Sequence, residues 1–210
     1  SISQRERHSY FNQILSRIDY FSGVFPYEYD LVKKYNRSFQ PRCIDFYYGS
    51  PNFFIPEDPE TKIENKKTNI IIGNSANVTN NHLDVIKLLS ELDLKLSENS
   101  KIIIPLSYGS GEKYKEKVEC EASKVFGDKV FSLRTFMPLE EYIHLISNCK
   151  IAIFGHERQQ ASDNIFLQLL YGAKVFMSET SCAYGYLKSI GLHVYSLQRD
   201  KKEFYTGLKD

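Results

Sequence analysis

The 210-residue sequence lacks the signals of several protein classes. Its 27 Lys and Arg residues balance 26 Asp and Glu residues, and a net charge of +1 provides no global field to attract nucleic acid. No apolar run approaches the roughly 20 residues that span a bilayer, and residues 1–10 are too polar for a signal peptide. These absences predict a soluble, cytoplasmic protein in which any recognition of anions is local.

Motifs for metals and common nucleotide cofactors are also absent. The chain contains neither GxGxxG nor GxxxxGK[ST], so no dinucleotide or P-loop signature supports a nucleotide site. His156 and Glu157 begin like the zinc-binding HExxH, but residue 160 is glutamine. The cysteines form no CxxC pair, which indicates buried thiols in a reducing compartment rather than a zinc site or a disulfide framework. They are Cys43, Cys120, Cys149 and Cys182.

Beyond residue 68, short apolar segments alternate with amphipathic helical patterns. The apolar segments are rich in β-branched residues, which is typical of strands buried on both faces. Alternation of this kind indicates βαβ crossovers and predicts an α/β fold with a Rossmann-like, doubly wound parallel sheet. The predicted strands are residues 69–72, 101–104, 129–133, 150–154, 174–177 and 192–196.

The beginning of the chain differs in composition, because 14 of the 29 aromatic residues precede residue 55. One interpretation is a surface that contacts lipid headgroups; the other is the core of a small domain or domain remnant. Two prolines and alternating charge predict a linker before the α/β region. The predicted organisation is a remnant at 1–54, a linker at 55–68, a Rossmann-like domain at 69–200 and a polar tail at 201–210.

Residues 151–177 carry the strongest functional signal. A predicted strand ends before a polar loop, and Ser162 or Asp163 is expected to cap the helix that follows. In a parallel sheet such a loop lies at the carboxyl edge, where ligands bind. Arg158 and the first-turn amides of the helix suit an anion such as a phosphate. The alternative is that this loop is only a polar helix entrance.

The loop after the first predicted strand opens on the same edge. Gly73 permits close backbone approach, and the small side chains of Asn74 and Ser75 can bind a phosphate or a sugar. The alternative is a helix cap built by Thr79 or Asn80. We therefore expect two polar loops to lie close together at the carboxyl edge.

Other loops at this edge carry candidate contacts to a nucleoside. After the third strand, the backbone of Thr135, Phe136 and Met137 can read a base, with the Phe136 ring packed on it; the alternative is a buried hydrophobic staple. In the loop at residues 105–113, Tyr108 offers a stacking or hydroxyl contact; the alternative is that this segment is only a flexible loop. Glu179 can accept both hydroxyls of a ribose, or is a solvated loop charge.

No catalytic set follows from the spacing of the candidate residues. His156 is an acid, a base, a phosphate donor or a structural histidine. No Ser/His/Asp or Cys/His arrangement can be proposed, because nothing in the sequence fixes the partners.

Several of these loops resemble the loops of one family. The motifs are GNS at 73–75, Asn81 and His82 at a helix start, IIIPLSYG at 102–109, LEEYIHLISNC at 139–149 and RQQ at 158–160. In this order they resemble the bacterial TDP-N-acetylfucosamine:lipid II N-acetylfucosaminyltransferases, also called 4-alpha-L-fucosyltransferases. The resemblance covers about residues 70–196 and extends more loosely back to Arg5.

The resemblance implies a GT-B glycosyltransferase, in which two Rossmann-like domains face each other across a cleft and no metal or other cofactor is needed. The second domain holds a nucleotide-sugar donor, expected to be TDP-linked, and the first holds a lipid-linked saccharide. The implied role is transfer of an (N-acetyl)fucosamine-type deoxysugar in cell-envelope polysaccharide synthesis, such as that of enterobacterial common antigen. A peripheral contact with the cytoplasmic face of the inner membrane goes with this role.

Roles for individual residues follow from the resemblance and the loop positions together. Arg158 is expected to stabilise the leaving diphosphate, assisted by the amides near Ser162, Asp163 and Asn164 and by the 73–75 loop. The remaining assignments are Gln159 and Gln160 for the sugar, Glu179 for the ribose, and Thr135, Phe136 and Met137 for the base.

Two features depart from the family pattern. The family protein is considerably longer, so we expect a fragment whose first residues are the tail of an acceptor domain. Where family members often have glycine and threonine after RQQ, this chain has ASDN at residues 161–164. Two alternatives stay open: a nucleotide-sugar binding or partner-docking module without turnover, and a GT-B-like sugar-nucleotide epimerase.

Overall fold

The computed structural model describes residues 4–45, 67–92 and 94–209. The chain divides into two compact units, Ser1–Ser50 and Pro51–Asp210. The linker predicted at 55–68 lies outside the described residues except for its last two. No helix in the described ranges is both long and apolar enough to cross a membrane.

The first unit is built on a small aromatic core. Phe25 and Phe39 are buried, and the ring of Phe39 packs edge-on against Phe21, with ring centroids 5.1 Å apart. This core supports the interpretation of a small domain or remnant, although other rings of the unit remain exposed. Its elements are α1 (Gln4–Leu15), β1 (Tyr20–Phe21), α2 (Tyr27–Tyr35) and β2 (Arg42–Cys43), and the two strands pair in parallel.

The second unit contains a parallel sheet of six strands among its described residues. The strands are β3 (Asn69–Ile72), β4 (Ile102–Pro105), β5 (Val130–Leu133), β6 (Cys149–Phe154), β7 (Lys174–Met177) and β8 (Tyr195–Ser196). The helices are α3 (His82–Ser90), α4 (Glu112–Phe126), α5 (Leu139–Ser147), α6 (Ser162–Leu170), α7 (Cys182–Ser189) and α8 (Lys202–Lys209). Short 3-10 helices at Val78–Asn80 and Gly127–Lys129 complete the unit.

The central strands are apolar because helices cover both of their faces. Ile70, Ile71 and Ile72 are completely buried in β3, and the isoleucines of β4 and the apolar residues of β6 are buried in the same way. A strand with one face in water would alternate apolar and polar residues instead. The continuous apolar runs therefore identify these strands as the centre of the sheet.

The strand order is β5-β4-β3-β6-β7-β8. Strands β4 and β5 are added on one side of β3, and the chain then crosses to the other side of β3 to add β6, β7 and β8. This is the doubly wound order in which ligands bind where the direction reverses, at the carboxyl ends of the two central strands. Here the reversal lies between β3 and β6. The predicted α/β class and parallel sheet are confirmed.

Candidate functional site

The loops that follow β3 and β6 are bonded to each other at the carboxyl edge of the sheet. The side-chain amide of Asn81 donates to the carbonyl of Gly155 at 2.8 Å, and Gly73 N donates to the carbonyl of Ile153 at 2.8 Å. We call the space above these two loops the crevice. The expectation that the two loops lie close together is confirmed.

The first loop is organised around Asn80, which is completely buried. Its Nδ2 donates to the carbonyl oxygen of Ser75 at 2.9 Å and to Ser75 Oγ at 3.1 Å, and its Oδ1 accepts from Asn74 N at 3.3 Å. The Ser75 hydroxyl therefore faces the protein interior. Asn74 points the other way, since its Nδ2 donates to the Tyr108 hydroxyl at 3.4 Å.

Gly73 lies directly against a buried histidine. Its φ of +70° is left-handed, and a Cβ at this position would lie 2.6 Å from His82 Nε2. His82 is completely buried, with its Nδ1 3.1 Å from the Tyr114 hydroxyl, and burial lowers its pKa to about 4. His82 is thus a neutral structural residue at physiological pH, and the close approach at Gly73 is to the protein itself.

The entrance to α6 differs from the prediction. Ala161 precedes the helix with a left-handed φ of +61°, and no side chain in the described part of the chain caps the first turn. The expected cap by Ser162 or Asp163 is wrong, because Ser162 is already the first helical residue and the backbone enters the helix through Ala161. The first-turn amides of Ser162, Asp163 and Asn164 thus have no capping side chain, which leaves them free to bind an anion.

Three side chains meet where the two loops approach each other. Arg158 Nε donates to Thr79 Oγ1 at 3.0 Å, and Thr79 Oγ1 donates to Gln160 Oε1 at 2.7 Å. Arg158 is exposed, whereas Gln159 and Gln160 are half-buried. Gln160 Nε2 is buried and has no partner among the described residues. The RQQ motif is therefore held by the loop that follows β3.

His156 is completely buried beneath the second loop. Its Nδ1 lies 3.0 Å from the carbonyl of Arg158, and its Nε2 has no partner in the described part of the chain. Burial lowers its pKa to about 4; the bond to the Arg158 carbonyl opposes this shift, and the Arg158 charge adds to it. A neutral imidazole that donates to the Arg158 carbonyl supports the backbone of the RQQ motif.

A pocket of about 160 Å³ opens between the ends of β3, β4 and β5 and the beginning of α6. The Tyr142 hydroxyl donates to Asn164 Oδ1 at 2.6 Å, and burial raises the pKa of Tyr142. Phe136 is 84% exposed, so the alternative of a buried staple is wrong. The pocket brings together the predicted residues Asn74, Tyr108, Thr135, Phe136, Met137 and Asn164, with Tyr142 as an addition.

Glu179 lies at the carboxyl end of β7, away from this pocket. Ser196 Oγ and Arg199 Nε both donate to its Oε1, and its side chain is 28% exposed. It is therefore an ion-paired residue rather than a simple solvated charge. Among the described residues, no group of His, Cys, Asp and Glu is arranged to hold a metal ion.

Sequence reasoning missed the central roles of Thr79, Asn80 and Tyr142. Thr79 and Asn80 appeared only as helix caps, although the run NVTNNH at residues 77–82 is densely polar and lies between a buried strand and a helix. Polar side chains in such a place need internal partners once they are buried. Tyr142 gave no signal, because its spacing on α5 is that of a core residue.

Solved structures with the same fold include glycosyltransferases of the GT-B type. A UDP-forming alpha,alpha-trehalose-phosphate synthase from Burkholderia xenovorans has a TM-score of 0.65 at 10% identity over 96% of this chain and 55% of its own. WaaG, a glycosyltransferase involved in lipopolysaccharide biosynthesis, has a TM-score of 0.66 at 13% identity over 99% of this chain and 58% of its own. An E. coli trehalose-6-phosphate structure bound with UDP-2-fluoro glucose has a TM-score of 0.66 at 12% identity, over 99% and 56% respectively.

At these identities the likeness shows the fold alone, which is the predicted Rossmann-like GT-B type. This chain spans about half the length of each of these structures. The family is shown by the sequence itself, because the family model described as 4-alpha-L-fucosyltransferase, glycosyl transferase group 56, matches residues 31–190. The match includes both crevice loops and confirms the resemblance. The chain belongs to the 4-alpha-L-fucosyltransferase family, glycosyl transferase group 56.

Proposed function

We propose that this chain binds the donor in a glycosyltransferase that moves an (N-acetyl)fucosamine-type deoxysugar from a TDP-linked donor to a lipid-linked saccharide. The observation that carries the proposal is the convergence of an exposed arginine, an uncapped helix start and a lined pocket at the reversal point of the sheet. Membership of the family supports glycosyl transfer. The E. coli structure of the same fold, bound with UDP-2-fluoro glucose, supports a nucleotide-sugar donor.

The diphosphate is assigned to Arg158 and the amino end of α6. Transfer separates the anomeric carbon from a nucleoside diphosphate, so negative charge grows on the leaving phosphates. The uncapped amides of the first turn and the positive end of the helix dipole stabilise an anion at this place. The guanidinium of Arg158 adds a full positive charge. Stabilisation of the leaving group by such groups needs no resident metal.

The nucleoside is assigned to the pocket beside the crevice. The exposed Phe136 ring offers a face for a base, and the backbone of Thr135 and Met137 lines the same pocket. Asn74 Oδ1 is buried without a partner among the described residues and can accept a hydrogen bond. Glu179 cannot bind the ribose of a base held in this pocket, because it follows β7, four strands from β5, whereas a base and its ribose are directly bonded.

The acceptor is proposed to be a lipid-linked saccharide used in cell-envelope polysaccharide synthesis, as in enterobacterial common antigen. Exposed rings and basic residues of the first unit support a peripheral contact with the cytoplasmic face of the inner membrane. Tyr35 is 78% exposed and Tyr10 65% exposed, and Lys33 and Lys34 lie on the same helix as Tyr35. Aromatic rings with basic neighbours are typical of surfaces that touch anionic headgroups.

A thermal-shift titration tests the donor site. The purified chain is titrated with TDP, UDP and GDP in the presence of EDTA, and a ligand that binds only the folded state raises Tm. We expect TDP to raise Tm most, Arg158→Ala to abolish the shift, and Arg17→Ala, an exposed arginine of the first unit, to retain it. An unchanged TDP response in Arg158→Ala would show that the diphosphate assignment is wrong.

Product analysis separates transfer from the two alternatives. The chain is incubated with TDP-linked sugar, with and without lipid-linked saccharide. A transferase releases TDP and extends the saccharide only when the acceptor is present, whereas an epimerase changes the sugar without acceptor. A binding module gives a TDP-dependent Tm shift and no product under either condition.

A further inference from the structure

We propose that Thr79 is the positioning residue of the donor site: its hydroxyl holds the Arg158 guanidinium and the Gln160 amide in place across the crevice. The inference rests on the proposed function, because it assigns a role within the same site. It concerns a residue outside the RQQ motif and on the opposite loop, 79 positions away from Arg158.

The hydrogen-bond arrangement gives the hydroxyl a defined direction. Thr79 Oγ1 accepts from Arg158 Nε at 3.0 Å, and its own hydrogen has two acceptors within reach, Gln160 Oε1 at 2.7 Å and Asn77 Oδ1 at 2.9 Å. Asn77 Oδ1 already accepts the backbone N–H of Thr79 at 3.1 Å. The shorter distance favours Gln160 as the acceptor of the hydroxyl hydrogen, so that one oxygen atom connects Arg158 to Gln160.

Thr79 is itself rigidly held. It lies in the 3-10 helix Val78–Asn80, between the Asn77 cap and the completely buried Asn80. A β-branched side chain also has few χ1 rotamers available. The hydroxyl is thus fixed to the first loop before any ligand arrives, and it is a suitable anchor for longer and more flexible side chains.

The anchor leaves the reactive edge of Arg158 available. Only Nε of the guanidinium is bonded to Thr79, and the Nη groups have no partner within the described ranges. An arginine has five N–H donors, so about four remain to bind a diphosphate. Holding the side chain in advance lowers the entropy that a ligand would otherwise lose in ordering it. Thr79 should therefore affect phosphate recognition specifically.

Four variants test this role by titration with TDP and with thymidine. Thr79→Val keeps the shape and removes the hydroxyl, whereas Thr79→Ser keeps the hydroxyl. We expect Thr79→Val to weaken TDP affinity about tenfold and to leave thymidine affinity unchanged, with Thr79→Ser close to the unsubstituted chain. Combined with Arg158→Ala, Thr79→Val should add little, since the two side chains act together.

Thr206→Val provides a matched control at a distant position. Thr206 Oγ1 also accepts from a cation, Lys174 Nζ, at 2.7 Å, and Lys174 begins β7 at the opposite edge of the sheet. The same chemical change there should leave TDP affinity unchanged. A fall in TDP affinity as large as that of Thr79→Val would indicate a general effect of destabilisation and would overturn the proposal.

Solvent exchange of the Arg158 Nε–H, followed by NMR without ligand, tests the contact directly. It should be slow in the unsubstituted chain and in Thr79→Ser, and fast in Thr79→Val.

Normal TDP binding by Thr79→Val, while Arg158→Ala loses it, would refute the role of Thr79 and leave the donor site standing. Equal losses of TDP and thymidine affinity would also refute it. Absence of TDP binding by the unsubstituted chain would refute both the donor site and this role.

Discussion

At the scale of single residues, Gly73 and Gly172 allow two destabilising effects of an added side chain to be compared: backbone strain and steric overlap. Their φ angles are +70° and +71°, but a Cβ at Gly73 would lie 2.6 Å from His82 Nε2, whereas no atom of the described residues lies within 4 Å of one at Gly172. Both positions impose the left-handed penalty on alanine. Only Gly73 adds steric overlap with a completely buried ring.

Alanine substitution at these two glycines should therefore have unequal effects. We expect Gly172→Ala to lower the free energy of unfolding by about 1 kcal/mol, and Gly73→Ala by about 3 kcal/mol. Urea unfolding of the two variants measures the difference. Equal losses would mean that the first loop moves away from His82 at little cost.

At the scale of secondary-structure elements, the entrance to α6 contains a non-glycine residue in a left-handed conformation. The backbone of Ala161 has φ +61°. A left-handed alanine is less stable than a glycine in the same conformation. The loop thus keeps a shape that favours glycine while it contains another residue.

Ala161→Gly should relieve this strain. We expect the free energy of unfolding to rise by up to about 1 kcal/mol. The strain energy removed from the folded state is expected to exceed the free energy by which glycine stabilises the unfolded chain through its greater backbone entropy. Chemical denaturation provides the measurement, and Ala122→Gly within α4 provides a control that should destabilise by about 1 kcal/mol or more. A less stable Ala161→Gly variant would show that the strain at Ala161 is smaller than the entropic cost of glycine.

The elements were predictable to very different degrees. Strands β3 and β7 have the predicted bounds, because burial on both faces leaves a continuous apolar run in the sequence. The last predicted strand, 192–196, is reduced to Tyr195–Ser196, where Asp200 accepts from Ser196 N. The cap of α6 was not predictable, since it depends on one left-handed φ that alanine does not indicate.

The site was predictable only as far as loop position allowed. The doubly wound order brings the loops after β3 and β6 together, so Asn74 and Arg158 could be assigned to one crevice from the sequence. The bond from Arg158 to Thr79 spans 79 residues, and no local pattern encodes such a pairing. Long-range polar contacts of this kind depend on packing geometry, which the spacing of residues along the chain does not contain.

At the scale of the whole molecule, two buried histidines connect stability to pH. Burial lowers the pKa of both His82 and His156 to about 4, from 6.5 in the absence of the fold. Between these values the unfolded chain binds more protons than the folded one, so stability falls as pH falls. The contribution is complete above about pH 6.5 and is lost progressively as pH falls to about 4, and each histidine accounts for about 3 kcal/mol.

Unfolding by urea at pH 7.5, 5.5 and 4.5 should follow this dependence. His156→Asn should show a smaller fall in stability between the first and last pH than the unsubstituted chain. His144→Gln, which changes an exposed histidine, should show the same fall. If His156→Asn and the unsubstituted chain fell by the same amount, protonation of His156 would not be the cause.

The strand order has a mechanical consequence for the molecule as a whole. The crevice loops belong to different halves of the sheet, one built from β3, β4 and β5 and the other from β6, β7 and β8, and the halves adjoin along β3 and β6. A ligand bound to both loops would reinforce the hydrogen bonds between β3 and β6 that already join the two halves. The two halves would then separate less readily, to a degree set by the affinity and concentration of the ligand.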